Sequence, residues 1–138
     1  MARARSRLSA GTVVLDCEGL VKWCEADRRV TAIVREAQDN DFRVVVSAMT
    51  PIEAQDVRVK RDRLAWHLSR LRIEPVTEEI CSRAIELLRS NRFHGHKYAI
   101  DAVVAATALR AVRPVLILTS DEDDMSRLCG KTVKVVGL

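Results

Sequence analysis

TVVLDCEGL, residues 12–20, is the stretch on which the fold turns. Its first four residues are apolar and mostly β-branched, too short a run for a helix, and they stop at Asp16. A run of that kind reads as a strand buried on both faces. Gly19–Trp23 then reads as a brief helical turn. The same pattern returns along the chain: FRVVVS (Phe42–Ser47), PVLIL (Pro114–Leu118) and TVKVV (Thr132–Val136) are further short apolar strands. RIEPV (Arg72–Val76) is a weaker one, expected at a sheet edge because Pro75 cannot donate a ladder hydrogen bond.

Helical patterns fill the intervals. Arg28–Gln38 carries Val30, Ile33, Val34 and Ala37 on one face. Thr50-Pro51-Ile52-Glu53 predicts a helix start, with Thr as cap, Pro at the first position and Glu at the third. That helix is expected to reach Leu71, broken near Val59, with Leu64, Leu68 and Leu71 inward. Thr77 opens another, whose inner positions are Ile80, Ala84, Leu87 and Leu88. FHGHK (Phe93–Lys97) is expected as a loop. Tyr98–Val112 reads as a buried helix of small residues, and Ser120–Leu128 as a short one ended by Gly130.

Strands alternating with helices predict an α/β fold, one three-layer domain with a central parallel sheet of four to five strands. The length agrees: 138 residues, 48% hydrophobic, sustain one core and leave little room for a second domain. That apolar fraction excludes a disordered chain. The longest apolar stretch, Ala102–Leu109, falls far short of the ~20 residues of a membrane helix. Residues 1–11, MARARSRLSAG, form a basic tail. Because Asp16, Glu18 and Lys22 interrupt any apolar core of a leader, the expected location is the cytoplasm. The four cysteines, at 17, 24, 81 and 129, include no C-x-x-C pair and suit free thiols better than disulfides or zinc.

In such sheets ligands bind beyond the carboxyl ends of the strands, where strand order reverses. Asp16 stands at one strand end, and Asp121, Asp123 and Asp124 follow another. Glu53 lies one turn into the helix after the second strand. Asp101 interrupts Tyr98–Leu109, which is otherwise uncharged. Each acid has an ordinary alternative: Glu53 completes a capping box, Asp121 caps a helix, Asp124 complements its dipole, and Asp16 starts a turn. Asp101 is harder to explain that way, because an unpaired buried charge is costly. Four carboxylates brought together without basic partners would repel, and a divalent cation removes the conflict. All-oxygen ligation selects Mg²⁺ or Mn²⁺, and such a site hydrolyses phosphodiesters.

The series LDCEGL, MTPIEA, YAIDAVVAATAL and TSDEDDM resembles the PIN domain, and more narrowly the VapC-type toxins of bacterial toxin–antitoxin pairs. It spans Thr12–Val136 in order. By this resemblance Asp16, Glu53 and Asp101 are the first three site acids, and the fourth is shared between Asp121 and Asp124. The resemblance implies a Mg²⁺- or Mn²⁺-dependent endoribonuclease, a homodimer, and inhibition by a small VapB-like antitoxin entering the acidic groove. Two departures stand out. Cys17-Glu18 replaces a usual small or hydroxylated pair, so Glu18 either joins the rim or faces solvent, and Met125 replaces an aromatic residue.

The net charge is +4; without Asp16, Glu53, Asp101 and Asp121 the count is 23 basic against 15 acidic residues, +8, which suits an RNA backbone. The densest basic stretch runs from Arg58 through Lys60, Arg61 and Arg63 to Arg70 and Arg72, with Trp66 and His67 interleaved. It reads either as an RNA-gripping face or as a solvated helix with Trp66 in a dimer contact. His94 and His96 flank Gly95 in a loop near the groove. Two other functions remain open. One is a weak or inactive PIN-like module that binds RNA or protein. The other, less suited because Lys131 and Lys134 are badly placed, is a receiver-like phosphoacceptor.

Overall fold

The computed structural model describes residues 9–55 and 58–138. The basic tail expected over residues 1–11 lies, up to residue 8, outside the described residues; from there the chain enters strand β1 at Gly11–Leu15, one residue earlier than its apolar run suggests. The other strands are β2 (Phe42–Ser47), β3 (Arg72–Glu74), β4 (Val115–Thr119) and β5 (Val133–Gly137). All pair in parallel, in the order β3-β2-β1-β4-β5. β3 is an edge strand of three residues and ends before Pro75, as a missing amide requires.

Seven helices occur among the described residues: α1 (Cys17–Cys24), α2 (Arg28–Asp39), α3 (Thr50–Glu53), α4 (Arg61–Leu68), α5 (Glu78–Asn91), α6 (Gly95–Arg110) and α7 (Glu122–Cys129). The two-residue period of the strands divides their side chains between two cores. Val13, Leu15, Val44 and Val46 pack with Leu20, Val30, Val34 and Leu64 from α1, α2 and α4. Val14, Val115 and Ile117 pack with Ile80, Leu87 and Met125 from α5 and α7, and with the alanines of α6. The result is three layers. Each fully buried Val, Leu or Ile contributes roughly 1.5–3 kcal/mol.

Two local expectations are corrected. Met49 already has helical backbone angles, and Glu53 N–H donates to its carbonyl at 3.2 Å, so α3 begins one residue early. Thr50 is therefore inside the helix, fully buried, and its hydroxyl caps nothing. The helix expected from Thr50 to Leu71 with a break near Val59 is indeed divided there: α3 stops at Glu53, and α4 starts at Arg61 and ends at Leu68. FHGHK, by contrast, is only partly a loop: Tyr98 N–H donates to the His94 carbonyl at 3.0 Å, which draws His96 and Lys97 into the first turn of α6.

Candidate metal centre

The switch in strand order falls between β1 and β4, and the register there pairs Leu15 with Leu118. The next residues, Asp16 and Thr119, consequently stand side by side at the carboxyl edge. Asp16 caps α1: its Oδ1 accepts from Gly19 N–H at 3.2 Å. Its Oδ2 accepts from the Thr119 hydroxyl, whose oxygen accepts in turn from Asp121 N–H at 3.0 Å. Asp16 is 6% exposed. Burial outweighs these two hydrogen bonds, and with nearby Asp121 it lifts the carboxyl above its ordinary range.

The remaining acids arrive from three separate elements. Glu53 ends α3, and its carboxyl is raised first by desolvation and then by Asp16 and Asp121. Asp101 projects from α6, where alanines at 102, 105, 106 and 108 are buried against the core. Its carboxyl is pushed up to about 6, mainly by burial, then by Asp121, Asp16, Glu53 and Asp124 in that order. Asp121 and Asp124 flank the start of α7. Asp121 thus acts on all three of the others, and Asp124 on Asp101. Cys17, half-buried, is pushed up to about 12 by burial and by Glu53, Asp16 and Glu18, which keeps it a thiol. Glu18 approaches Arg58 at 3.8 Å.

Glu53, Asp101, Asp121 and Asp124 line one cleft of about 270 Å³, together with His96 and Tyr98. Asp16 is buried at the strand end and does not line it. Clefts of about 310 and 520 Å³ lie elsewhere, walled chiefly by arginines and apolar side chains. Among the described residues, no three His, Cys, Asp or Glu side chains are grouped so as to hold an ion unaided. The donor set nonetheless fits a hard, hydrated cation, since every donor is a carboxylate oxygen and Mg²⁺ retains several waters while bonding one or two carboxylates.

A sequence profile of the PIN domain matches residues 13–131. The chain belongs to the PIN domain family. The fold of this PIN domain recurs in a crystal structure of VapBC2 from Rickettsia felis bound to a promoter DNA fragment. That match has 16% identity and a TM-score of 0.70, and covers 92% of this chain and 98% of that one. A toxin–antitoxin complex from Klebsiella pneumoniae shares 18% identity with a TM-score of 0.66, over 88% and 94% of the two chains. FitAB bound to the IR36 DNA fragment shares 20% identity with a TM-score of 0.63, over 91% and 94%. No curated protein matches the sequence.

The basic stretch of this PIN domain is partly engaged. Arg63 donates to the Cys24 carbonyl at 3.4 Å, Arg70 lies 4.8 Å from the Trp66 ring, and Arg72 pairs with Glu74. Trp66 is 53% exposed, and His67 meets it and Trp23 edge-on. His94 precedes α6 without capping it through its side chain. Two site residues escaped the sequence reading: Thr119, the sole polar residue of its strand, and Gly19, the donor to Asp16. The signal for Thr119 is its alignment with Asp16 once the two strands are neighbours.

Proposed function

We propose that this PIN domain is a divalent-metal-dependent endoribonuclease that hydrolyses RNA phosphodiester bonds with Mg²⁺ or Mn²⁺. In this reading it is the toxin of a toxin–antitoxin pair, a cytoplasmic homodimer restrained by a small VapB-like antitoxin. The observation that carries the reading is the meeting of four acids at the strand-order switch: Asp16, Glu53 and Asp101 have their carboxyls raised, first by burial and then by neighbouring carboxylates, with Asp121 acting on all three. Evolving such repulsion without a cation to offset it would only destabilise the fold. The toxin–antitoxin complexes with the same fold support the partner, and among the described residues no helix is long and apolar enough to cross a membrane.

Asp16, Glu53, Asp101 and Asp121 would hold the cation, with Asp124 beside Asp101. When bound, it supplies polarisation of the phosphodiester and a hydroxide at neutral pH. Thr119 and Gly19 fix both oxygens of Asp16 in advance, so that carboxylate need not reorient. The Asp101 carboxyl, pushed up to about 6, takes up a proton in mildly acidic solution.

The test is cleavage of total bacterial RNA by the purified protein with Mn²⁺ or Mg²⁺, alongside EDTA and Asp101→Asn controls. Discrete fragments lost in both controls support the nuclease; intact RNA under every metal condition rejects it. One observation favours a non-catalytic RNA- or protein-binding module instead: no three of the donors are already grouped around an ion's position among the described residues. Calorimetry separates the two, since that module binds no divalent cation at millimolar concentration.

A further inference from the structure

One part of the cleft wall is not acidic. His96, Lys97 and Tyr98, from the first turn of α6, line it beside Glu53, Asp101 and Asp121. Tyr98 does not stand alone. Its ring stacks on Phe93, with centroids 4.3 Å apart and planes 23° from parallel. The Lys97 ammonium lies 5.1 Å from the Tyr98 centroid, and the Arg127 guanidinium 4.6 Å from that of Phe93. The four side chains make an unbroken series of cation, aromatic, aromatic and cation, drawn from α6, the segment before it and α7. Lys97 is exposed and, among the described residues, makes no ion pair with the carboxylates that line the same cleft.

A structural staple between α6 and α7 would account for Phe93 and Arg127, because Phe93 packs against the core. It would not account for a tyrosine ring in the wall of an acidic cleft, nor for an ammonium that lies over that ring rather than pairing with the cleft's carboxylates. A polyanion approaching four carboxylates needs an attractive group at the entrance, and Lys97 supplies the positive charge among the lining residues. An aromatic ring next to a cation is also the pairing with which proteins hold single-stranded nucleic acid. The ring stacks on a base whatever its sequence, and the cation takes the phosphate.

We propose that Tyr98 and Lys97 are substrate-binding residues. Phe93 covers one face of Tyr98 and the Lys97 ammonium lies over the other; one unpaired base of a single-stranded RNA takes that second face as the exposed lysine swings out to hold an adjoining phosphate, which presents the neighbouring phosphodiester to the carboxylates. This rests on the ribonuclease reading above. A base in a duplex is already stacked on its neighbours, so the preferred substrate is a loop or a single strand.

The experiment is steady-state cleavage of a single-stranded RNA oligonucleotide in Mn²⁺ by the full chain. Tyr98→Leu and Lys97→Ala should each raise KM about tenfold, the scale of one lost base stack, with kcat changed less than threefold. Tyr98→Phe, which keeps the ring, should retain the parental KM. Lys97→Ala should also reduce the slope of log KM against log salt by about 0.7, the value for one phosphate on a single strand. Abasic scanning of the substrate with the unaltered protein removes any dependence on how a variant folds. One abasic position should raise KM as Tyr98→Leu does, and should raise it no further in that variant. Cleavage by the parent with KM unmoved in both variants and at every abasic position would overturn this proposal alone. No cleavage by the parent under any metal condition would overturn the ribonuclease reading and this proposal with it.

Discussion

Thr119 and Asp16 end neighbouring parallel strands, and the Thr119 hydroxyl donates to the Asp16 carboxylate while accepting from the amide of Asp121. One hydroxyl therefore orients a buried acid and ties it to the loop that carries another. Its donation lowers the proton affinity of Asp16 against a burial that raises it. Thr119→Val keeps the shape and removes both bonds, so the Asp16 carboxyl should rise further. Cleavage in Mn²⁺ should fall roughly 10- to 100-fold, as for other residues that orient a metal ligand, and stability by about 1–3 kcal/mol. Thr119→Ser should retain most of both. Full activity in Thr119→Val would show that Asp16 needs no such guide.

The fourth acid can be chosen between Asp121 and Asp124. Asp121 raises the carboxyls of Asp16, Glu53 and Asp101, whereas Asp124 acts on Asp101 and comes last among its causes. Electrostatic influence falls with distance, so Asp121 is the more central. Asp121→Asn is expected to reduce cleavage at least a hundredfold, and Asp124→Asn about tenfold, each ratio corresponding to about 1.4 kcal/mol per decade. The reverse ranking in matched Mn²⁺ assays would move the fourth position to Asp124.

The sheet and its acids were legible because each carries a strong local signal. TVVL and VLIL are short apolar runs, too short for a helix and rich in β-branched residues, which suits a strand buried on both faces, and Asp101 is a charge where a buried helix excludes one. What was illegible depends on partners remote in sequence. Thr50 has every feature of a cap, yet Met49 enters the helix first and leaves the Thr50 hydroxyl buried without a partner. FHGHK looks like a loop from its Gly, but α6 starts on that Gly and carries Lys97 and Tyr98 to the cleft. Thr119 acquires its role only through a partner 103 positions away.

The raised carboxyl of Asp101 sets a pH dependence in the metal-free protein. Its folded-state pKa of about 6 lies above the ordinary 3.8, so ionising it disfavours the fold. Stability should therefore increase as pH falls from about 7 through 6 toward 4, and be lost again on the return. The gap between the folded and ordinary values bounds the effect at roughly 3 kcal/mol, and solvent reaching this partly exposed group reduces it. Thermal melts of the EDTA-treated protein at pH 7 and pH 5 should show the rise, and Asp101→Asn should flatten it. Mn²⁺ should stabilise the parent more at pH 7 than at pH 5, because protonated carboxyls do not bind it. Parallel pH profiles for the parent and Asp101→Asn would remove Asp101 from this account.

Gly19 tests how tightly α1 must seat for Asp16 to be held. A Cβ there would stand 3.1 Å from the Leu118 carbonyl and 3.5 Å from the Cβ atoms of Leu15 and Leu118. The same residue donates the amide that Oδ1 of Asp16 accepts. Two effects oppose in Gly19→Ala. Alanine is the better helix former by about 1 kcal/mol, while α1 must move a few tenths of an ångström off β4. Stability should then change by less than about 1 kcal/mol, yet cleavage should fall, because the displaced amide no longer fixes the carboxylate. Gly19→Val adds two methyl groups to the same contact and should cost about 1–3 kcal/mol, as overpacking does elsewhere. Urea unfolding and Mn²⁺-dependent cleavage measured on both variants separate seating from catalysis. Gly19→Val with parental stability and activity would mean that α1 has slack at its first turn and that the amide at position 19 keeps its bond to Asp16 despite the larger side chain.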